Sequence, residues 1–199
     1  MFLWIKGQTD SEHIFALLMT HFNELRGSGG PLTVDQIKLG FQQTFDVLQN
    51  LKQQAGFGDE VSTYNMMITD GYRIFGTRFS SDPEKQSPTL YYSSGNRFHC
   101  EDGIRKMVQD ASSEETILIA SEKLNGNKNE WTCIPPNHFI AVENNMEIGL
   151  SPLDKSGMSH NLTGHRETAG YQGHISDLYS SSPGIHPRGP CENLRYALN

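Results

Sequence analysis

The hydrophobic periodicity of the chain changes once, near Val61, and this change limits the folds that the sequence can form. Before it, apolar residues from Ile37 to Leu51 recur at i+3 and i+4 spacing, which predicts an amphipathic helix. Those from Ile14 to Leu25 occupy most of the circumference of a helix, so we expect that helix to be buried on more than one side. After it, short β-prone runs alternate with turn residues, which is typical of strands. The order predicts an α+β fold with two helices followed by an antiparallel strand meander.

Each predicted helix begins with a capping box. Thr9 and Glu12 start the first, and Thr33 and Gln36 start the second. Gly27 and the glycines that follow it are expected to end the first helix.

Turn signals divide the second part of the chain into strands. Asp70-Gly71 predicts one hairpin and residues 143–145 predict another. Residues 89–93, 115–121 and 131–134 are expected to be further strands, and residues 101–109 a short helix.

Composition indicates one folded domain and excludes several classes of protein. We expect residues 1–153 to fold and residues 154–199, which are rich in Gly, Ser, His and Pro, to form a disordered tail.

The net charge of −7 argues against a non-specific nucleic-acid binder. No apolar run approaches the roughly 20 residues that span a bilayer, so no membrane association is expected. Three cysteines do not make a disulfide framework, which favours a reducing, cytoplasmic location.

The motifs of the chain indicate neither a metal site nor a cofactor. The eight histidines lack metal-binding spacing, and the glycine-rich residues 27–31 do not form a phosphate-binding loop. Adjacent His99 and Cys100 would point to opposite faces of a strand, so we do not expect a catalytic pair there. We therefore predict no metal and no cofactor.

Asp10, in the first turn of the first helix, has two interpretations. An acid is favoured there by the helix dipole alone and needs no further role. Alternatively, its carboxylate projects over the helix start and binds a cationic group, such as the α-amino group of an amino acid.

Several segments, in order, resemble one family. They are TDSEHIFALL at residues 9–18, DGYRIFGTRF at 70–79, LYYSSGNRF at 90–98, and ILIASEKL with WTCIPPNHFIAV within 117–142. These segments resemble class II glutamine amidotransferase domains, which are N-terminal-nucleophile hydrolases. Within that family they are most similar to the branch with the fungal glutathione-degrading subunit and the bacterial γ-glutamyl hydrolase of ergothioneine synthesis.

The resemblance implies a four-layer αββα sandwich and the hydrolysis of γ-glutamyl amides. An N-terminal cysteine would attack the γ-carbonyl, its own α-amine would act as the base, and water would release glutamate from the thioester. On this resemblance Asp10 binds the α-amino group of the substrate, while Thr9 and Glu12 fix the helix start. The resemblance also implies a small γ-glutamyl substrate, glutathione in particular, and a peptidase-like partner subunit.

The chain opens Met1-Phe2, where the family has Met-Cys, and nothing before Gln8 matches the family's carboxylate-binding and oxyanion-hole segments. We therefore expect an incomplete sandwich, the C-terminal part of such a hydrolase, with no catalytic residue and no activity of its own. Two alternatives stay open: a short non-catalytic binding or assembly protein of the same family, and an unrelated α+β binding domain.

Overall fold

Both helices begin where the capping boxes place them. In the computed structural model, helix α1 covers Asp10–Arg26 and helix α2 covers Val34–Gln54, with Thr9 and Thr33 as their N-caps. The side chain of each threonine accepts a hydrogen bond from the N–H of the third helical residue, whose own side chain accepts from the threonine N–H. Gly27 ends α1 with a φ of 57°, a conformation that favours glycine.

Ten strands follow the helices in the part of the chain that the structure describes, which is residues 5, 7–27, 29–82, 88–95, 97–101, 104–108, 115–153 and 195–197. They are β1 (Thr63–Thr69), β2 (Ile74–Ser80), β3 (Tyr91–Gly95), β4 (Arg97–Glu101), β5 (Ile104–Val108), β6 (Thr116–Ala120), β7 (Thr132–Cys133), β8 (His138–Val142), β9 (Ile148–Pro152) and β10 (Arg195–Ala197). A short 3₁₀ helix covers Lys128–Glu130.

The strands form three sheets, and every pairing is antiparallel. The largest has the order β10-β1-β2-β8-β9, a second has the order β6-β3-β7, and β4 pairs with β5. The hairpins predicted at Asp70-Gly71 and at residues 143–145 are confirmed as β1–β2 and β8–β9. The predicted α+β class is confirmed.

The prediction of a helix at residues 101–109 is wrong. Residues 104–108 form β5, which pairs with β4 so that Glu101 lies opposite Ile104. Ile104, Met107 and Val108 have helical spacing, but strand pairing with the preceding segment overrides this local preference.

The central strands of the five-stranded sheet contribute buried residues to a core on each face. One face packs against the helices in a core that includes Phe41, Phe75 and Phe139. The opposite face contributes Met67 and Ile140 to a second cluster with residues of β3 and β6. The described elements therefore stack as helices, large sheet and small sheet, because successive residues of a strand point to opposite faces.

A buried arginine joins the two sheets. Arg78, in β2, is 7% exposed. Its Nε donates to the carbonyl of Pro88 at 2.8 Å, and its Nη1 donates to the carbonyl of Ile134 at 2.6 Å. Both carbonyls lie in segments that flank the small sheet, so the guanidinium satisfies them where water is excluded.

The predicted tail boundary is only partly covered by the structure. Strand β10 lies inside the segment 154–199 for which the sequence predicts disorder, and it joins the edge of the large sheet. Residues 154–194, 198 and 199 lie outside the described residues, so the prediction for them stays a prediction.

The β1–β2 turn is held by an ion pair. Asp70 Oδ2 accepts from Arg73 Nε at 2.9 Å and Nη2 at 2.8 Å, while Oδ1 accepts from the N–H groups of Tyr72 and Arg73. Arg73 Nη1 also donates to the carbonyl of Leu32, in the loop between the helices. Burial raises the pKa of Asp70, but the hydrogen bonds and charge of this turn outweigh it, and the pKa lies below its ordinary value.

We predict that Asp70→Asn lowers the free energy of unfolding by about 1–2 kcal/mol at pH 7, because Arg73 loses a charged acceptor. A carboxyl with a lowered pKa contributes stability above its unfolded pKa, and that contribution is lost as the pH falls through the folded value. The two proteins should therefore converge as the pH falls through the folded pKa of Asp70, which lies below its ordinary value of 3.8. Urea unfolding at several pH values checks this, with Asp59→Asn, in the exposed loop after α2, as the control. Equal stabilities of Asp70→Asn and the natural chain at pH 7 would contradict it.

Candidate functional site

The candidate site is the start of helix α1, where Asp10 is the first helical residue. Asp10 is exposed, and no described residue donates a hydrogen bond to its carboxylate. The neighbouring residues Thr9 and Glu12 cap the helix without using the Asp10 carboxylate.

Thr9 and Glu12 carry out the capping. The Thr9 hydroxyl accepts from the Glu12 N–H at 3.3 Å and donates to Glu12 Oε2 at 3.0 Å. The other Glu12 oxygen accepts from the N–H of Gly7 at 3.1 Å. A Cβ on Gly7 would lie 2.1 Å from Glu12 Oε2, so a glycine at this position allows the carboxylate to approach the backbone.

These contacts favour the charged form of Glu12. The hydrogen bond from the Thr9 hydroxyl is the main cause that holds the pKa of Glu12 below its ordinary value, and the N–H groups of Thr9 and Gly7 add to it. Thr9 and Glu12 thus fix the helix start, as the capping box predicts.

The Asp10 carboxylate takes no part in the box, which leaves it available to a ligand. It lies at the electropositive end of a 17-residue helix. His13, one turn further on, is held by its own contact between Nδ1 and the carbonyl of Thr9 at 2.9 Å. The arrangement presents a fixed backbone with one uncommitted carboxylate, which is suited to a cationic group.

Helix α2 repeats this local geometry. Thr33 and Gln36 form the same reciprocal box, with hydrogen bonds of 3.2 Å and 2.9 Å. Asp35 stands exposed in the first turn, as Asp10 does in α1. Local geometry alone therefore does not distinguish a ligand-binding acid from one that only complements the helix dipole.

The two helix starts differ in their position on the large sheet. Gln36 Nε2 donates to the carbonyl of Leu25, and Arg73 donates to the carbonyl of Leu32, so the start of α2 lies beside the β1–β2 turn. A helix of 17 residues is about 25 Å long at 1.5 Å per residue, so Asp10 lies at the far end of α1 from Leu25 and the start of α2.

Asn137 holds a turn where β2 ends and β8 begins. Asn137, with a φ of 55°, accepts from the Ser80 N–H through Oδ1 at 2.7 Å and from the Leu153 N–H through its carbonyl at 2.8 Å. Asparagine tolerates this left-handed conformation better than most residues. The sequence did not predict a role for Asn137, although its position after two prolines marks a turn.

The described cysteines lie within strands. Cys100 is in β4 and Cys133 is in β7, and both are free thiols with exposed side chains. The Sγ of Cys133 is 3.4 Å from Nη1 of Arg78. The nitrogen of each is a peptide N–H, which cannot act as a base as a free α-amine can.

Other kinds of site are not found in the described residues. Within the ranges given above, no group of three His, Cys, Asp or Glu side chains is arranged to hold a metal ion. No helix among them is both long and apolar enough to cross a membrane.

We predict that Thr9→Ala and Thr33→Ala each lower the free energy of unfolding by about 1 kcal/mol at pH 7. The effects should separate in acid, because Glu12 titrates and Gln36 does not. Because the folded state lowers the pKa of Glu12, the ionised carboxylate contributes to the free energy of unfolding above pH 4.5, the ordinary pKa of this group. That contribution is lost as the pH falls through the pKa of the folded state. The cost of Thr9→Ala should therefore shrink in acid while that of Thr33→Ala stays constant. Chemical denaturation across pH 3–7 measures both, and identical pH profiles would contradict the role assigned to Glu12.

Comparison with known proteins gives one relationship. The chain is 24% identical over 158 residues to the probable glutamine amidotransferase DUG3 of Saccharomyces cerevisiae. The match covers 75% of this chain and 44% of the yeast protein, so the chain spans less than half the length of this relative. No family model matches the chain, and no solved structure matches it. The chain is thus a distant relative of a probable glutamine amidotransferase.

Proposed function

We propose that this domain is the substrate-anchoring, C-terminal part of a glutamine amidotransferase-type hydrolase that cleaves γ-glutamyl amide bonds, with glutathione as the leading substrate. Asp10 binds the α-ammonium group of the γ-glutamyl moiety. Thr9 and Glu12 hold the first turn of α1 in place beneath it. The relationship to the yeast protein supports the class of reaction, and the free carboxylate of Asp10 supports the assignment of the anchor.

The observation that carries the proposal is that Asp10 is not needed for capping. The Thr9 and Glu12 side chains accept from the N–H groups of Glu12, Thr9 and Gly7, and Asp10 makes no hydrogen bond with a described residue. An ammonium group can therefore bind the carboxylate without disrupting the helix. The α-carboxylate of the same ligand would be favoured by the positive end of the helix dipole.

The proposed chemistry separates binding from bond cleavage. In the hydrolysis that the resemblance implies, a cysteine thiolate attacks the γ-carbonyl and the amine leaves with a proton. Water then hydrolyses the thioester to glutamate and the regenerated thiol. Neither Cys100 nor Cys133 has a free α-amine, so we do not assign the nucleophile to either of them.

We predict that Asp10→Asn weakens the binding of glutathione about tenfold or more, because a charge-assisted hydrogen bond is worth about 1.5–3 kcal/mol. The matched control is Asp35→Asn, which makes the same change at an exposed acid in the first turn of α2. NMR titration of the labelled chain measures affinity and locates the ligand, whose shifts should centre on the first turn of α1.

A ligand control tests the charge itself. N-acetylglutathione lacks the α-ammonium group and should bind the natural chain as weakly as glutathione binds Asp10→Asn. Equal affinity for the acetylated and free ligands, or equal losses for Asp10→Asn and Asp35→Asn, would overturn the assignment of Asp10.

We also predict that this chain releases no glutamate from glutamine or glutathione, since neither described cysteine has the adjacent amine that the reaction uses. Cys100→Ser and Cys133→Ser should be indistinguishable from the natural chain in a coupled glutamate assay. Turnover by the natural chain that either substitution abolishes would show that a strand cysteine is the nucleophile, contrary to this proposal.

A further inference from the structure

The loop between β6 and β7 contains Asn125-Gly126, the only Asn-Gly pair in the sequence. Gly126 is exposed, and a Cβ built on it would meet no atom within 4 Å, so solvent reaches this part of the loop. Asparagine is a thermolabile residue, and a glycine after it leaves the next backbone nitrogen unshielded by a side chain. The nitrogen of Gly126 is therefore sterically free to attack the side-chain amide of Asn125.

The Asn125 side chain belongs to a hydrogen-bond network that requires an amide. Its Nδ2 donates to Glu130 Oε2 at 2.7 Å. Its Oδ1 accepts from Nε1 of the buried Trp131 and from the N–H of Asn127, both at 3.1 Å. An ionised acid at position 125 could keep the contacts of Oδ1, but it has no N–H to donate, and its second oxygen would face the Glu130 carboxylate.

Glu130 joins this loop to another strand. Its Oε2, which accepts from Asn125, also accepts from the N–H of Met107 at 3.3 Å, while its Oε1 accepts from Asn127 Nδ2 at 2.6 Å. Met107 lies in β5, which pairs with β4. We call these contacts of Glu130 the Glu130 clamp. Because Asn125 and Met107 share one carboxylate oxygen, a negative charge at position 125 that displaces this oxygen weakens both hydrogen bonds.

We propose that Asn125-Gly126 is a self-modification site, and that its conversion to aspartate or isoaspartate opens the Glu130 clamp. The nitrogen of Gly126 bonds to Cγ of Asn125, the Cγ–Nδ2 bond breaks, and ammonia leaves with the proton that Gly126 gives up. Water then adds to one of the two carbonyl carbons of the resulting succinimide and opens the ring. The N–H groups of Trp131 and Asn127 face Oδ1, the atom on which negative charge develops during the attack.

Both products act against the clamp. Aspartate places an oxygen where Nδ2 donates to Glu130, and two carboxylates in contact repel each other. Isoaspartate also moves a side-chain carbon into the main chain, which shifts the contact with Asn127. The β4–β5 pair should then open more readily, whereas the large sheet, which has its own ladders, should be unaffected.

The first test measures the conversion in the full chain. Peptide mass spectrometry after incubation in mildly alkaline buffer follows the change from amide to acid, and labelling with isoaspartyl methyltransferase detects the isomer. Asn125 should convert about tenfold faster than the exposed Asn129 and Asn145, and Gly126→Ala should slow its conversion about tenfold. Equal rates at the three asparagines, or in Gly126→Ala and the natural chain, overturn the proposal.

The second test measures the consequence with Asn125→Asp. The matched control is Asn129→Asp, which adds the same charge to the same loop at an exposed position. Hydrogen exchange of the Met107 amide at neutral pH should be about tenfold faster in Asn125→Asp than in the control, because a hydrogen bond to a charged group is lost. The amides of β1 and β2 should exchange equally in both variants. Equal exchange at Met107 in the two variants overturns the proposal.

The natural chain provides the comparison if Asn125→Asp does not fold. Its converted and unconverted forms differ in charge, so ion exchange separates them after incubation. The converted form should show the same faster exchange at Met107. Identical exchange in the two forms overturns the link between the modification and the clamp.

Discussion

The packing of Phe41 determines how the helices sit on the sheet, and the candidate site depends on that placement. Phe41 is fully buried, and its ring centre lies 6.2 Å from that of Phe22 in α1 and 5.9 Å from that of Phe139 in β8. Gly40 makes this contact possible, since a Cβ there would lie 2.5 Å from the Phe22 ring. Buried aromatic contacts of this kind are among the larger contributions to a core. They fix α1 against the sheet and thereby fix where Asp10 is presented.

Elements whose signals are local could be predicted from the sequence. The capping boxes at Thr9 and Thr33 and the hairpin at Asp70-Gly71 depend on contacts between residues a few positions apart, and all three are confirmed. The β4–β5 hairpin was missed although Asp102-Gly103, the same dipeptide, separates its strands.

Contacts between distant residues could not be predicted in this way. Arg78 is an ordinary strand residue in the sequence, but in the structure it joins carbonyls 10 and 56 positions away and so links two sheets. Strand β10 pairs with a partner more than a hundred residues earlier in the chain, and its three residues carry no strong strand signal. Asp10 shows the same limit for function, because Asp35 has equivalent capping neighbours, and the preference for Asp10 comes from the family resemblance of residues 9–18.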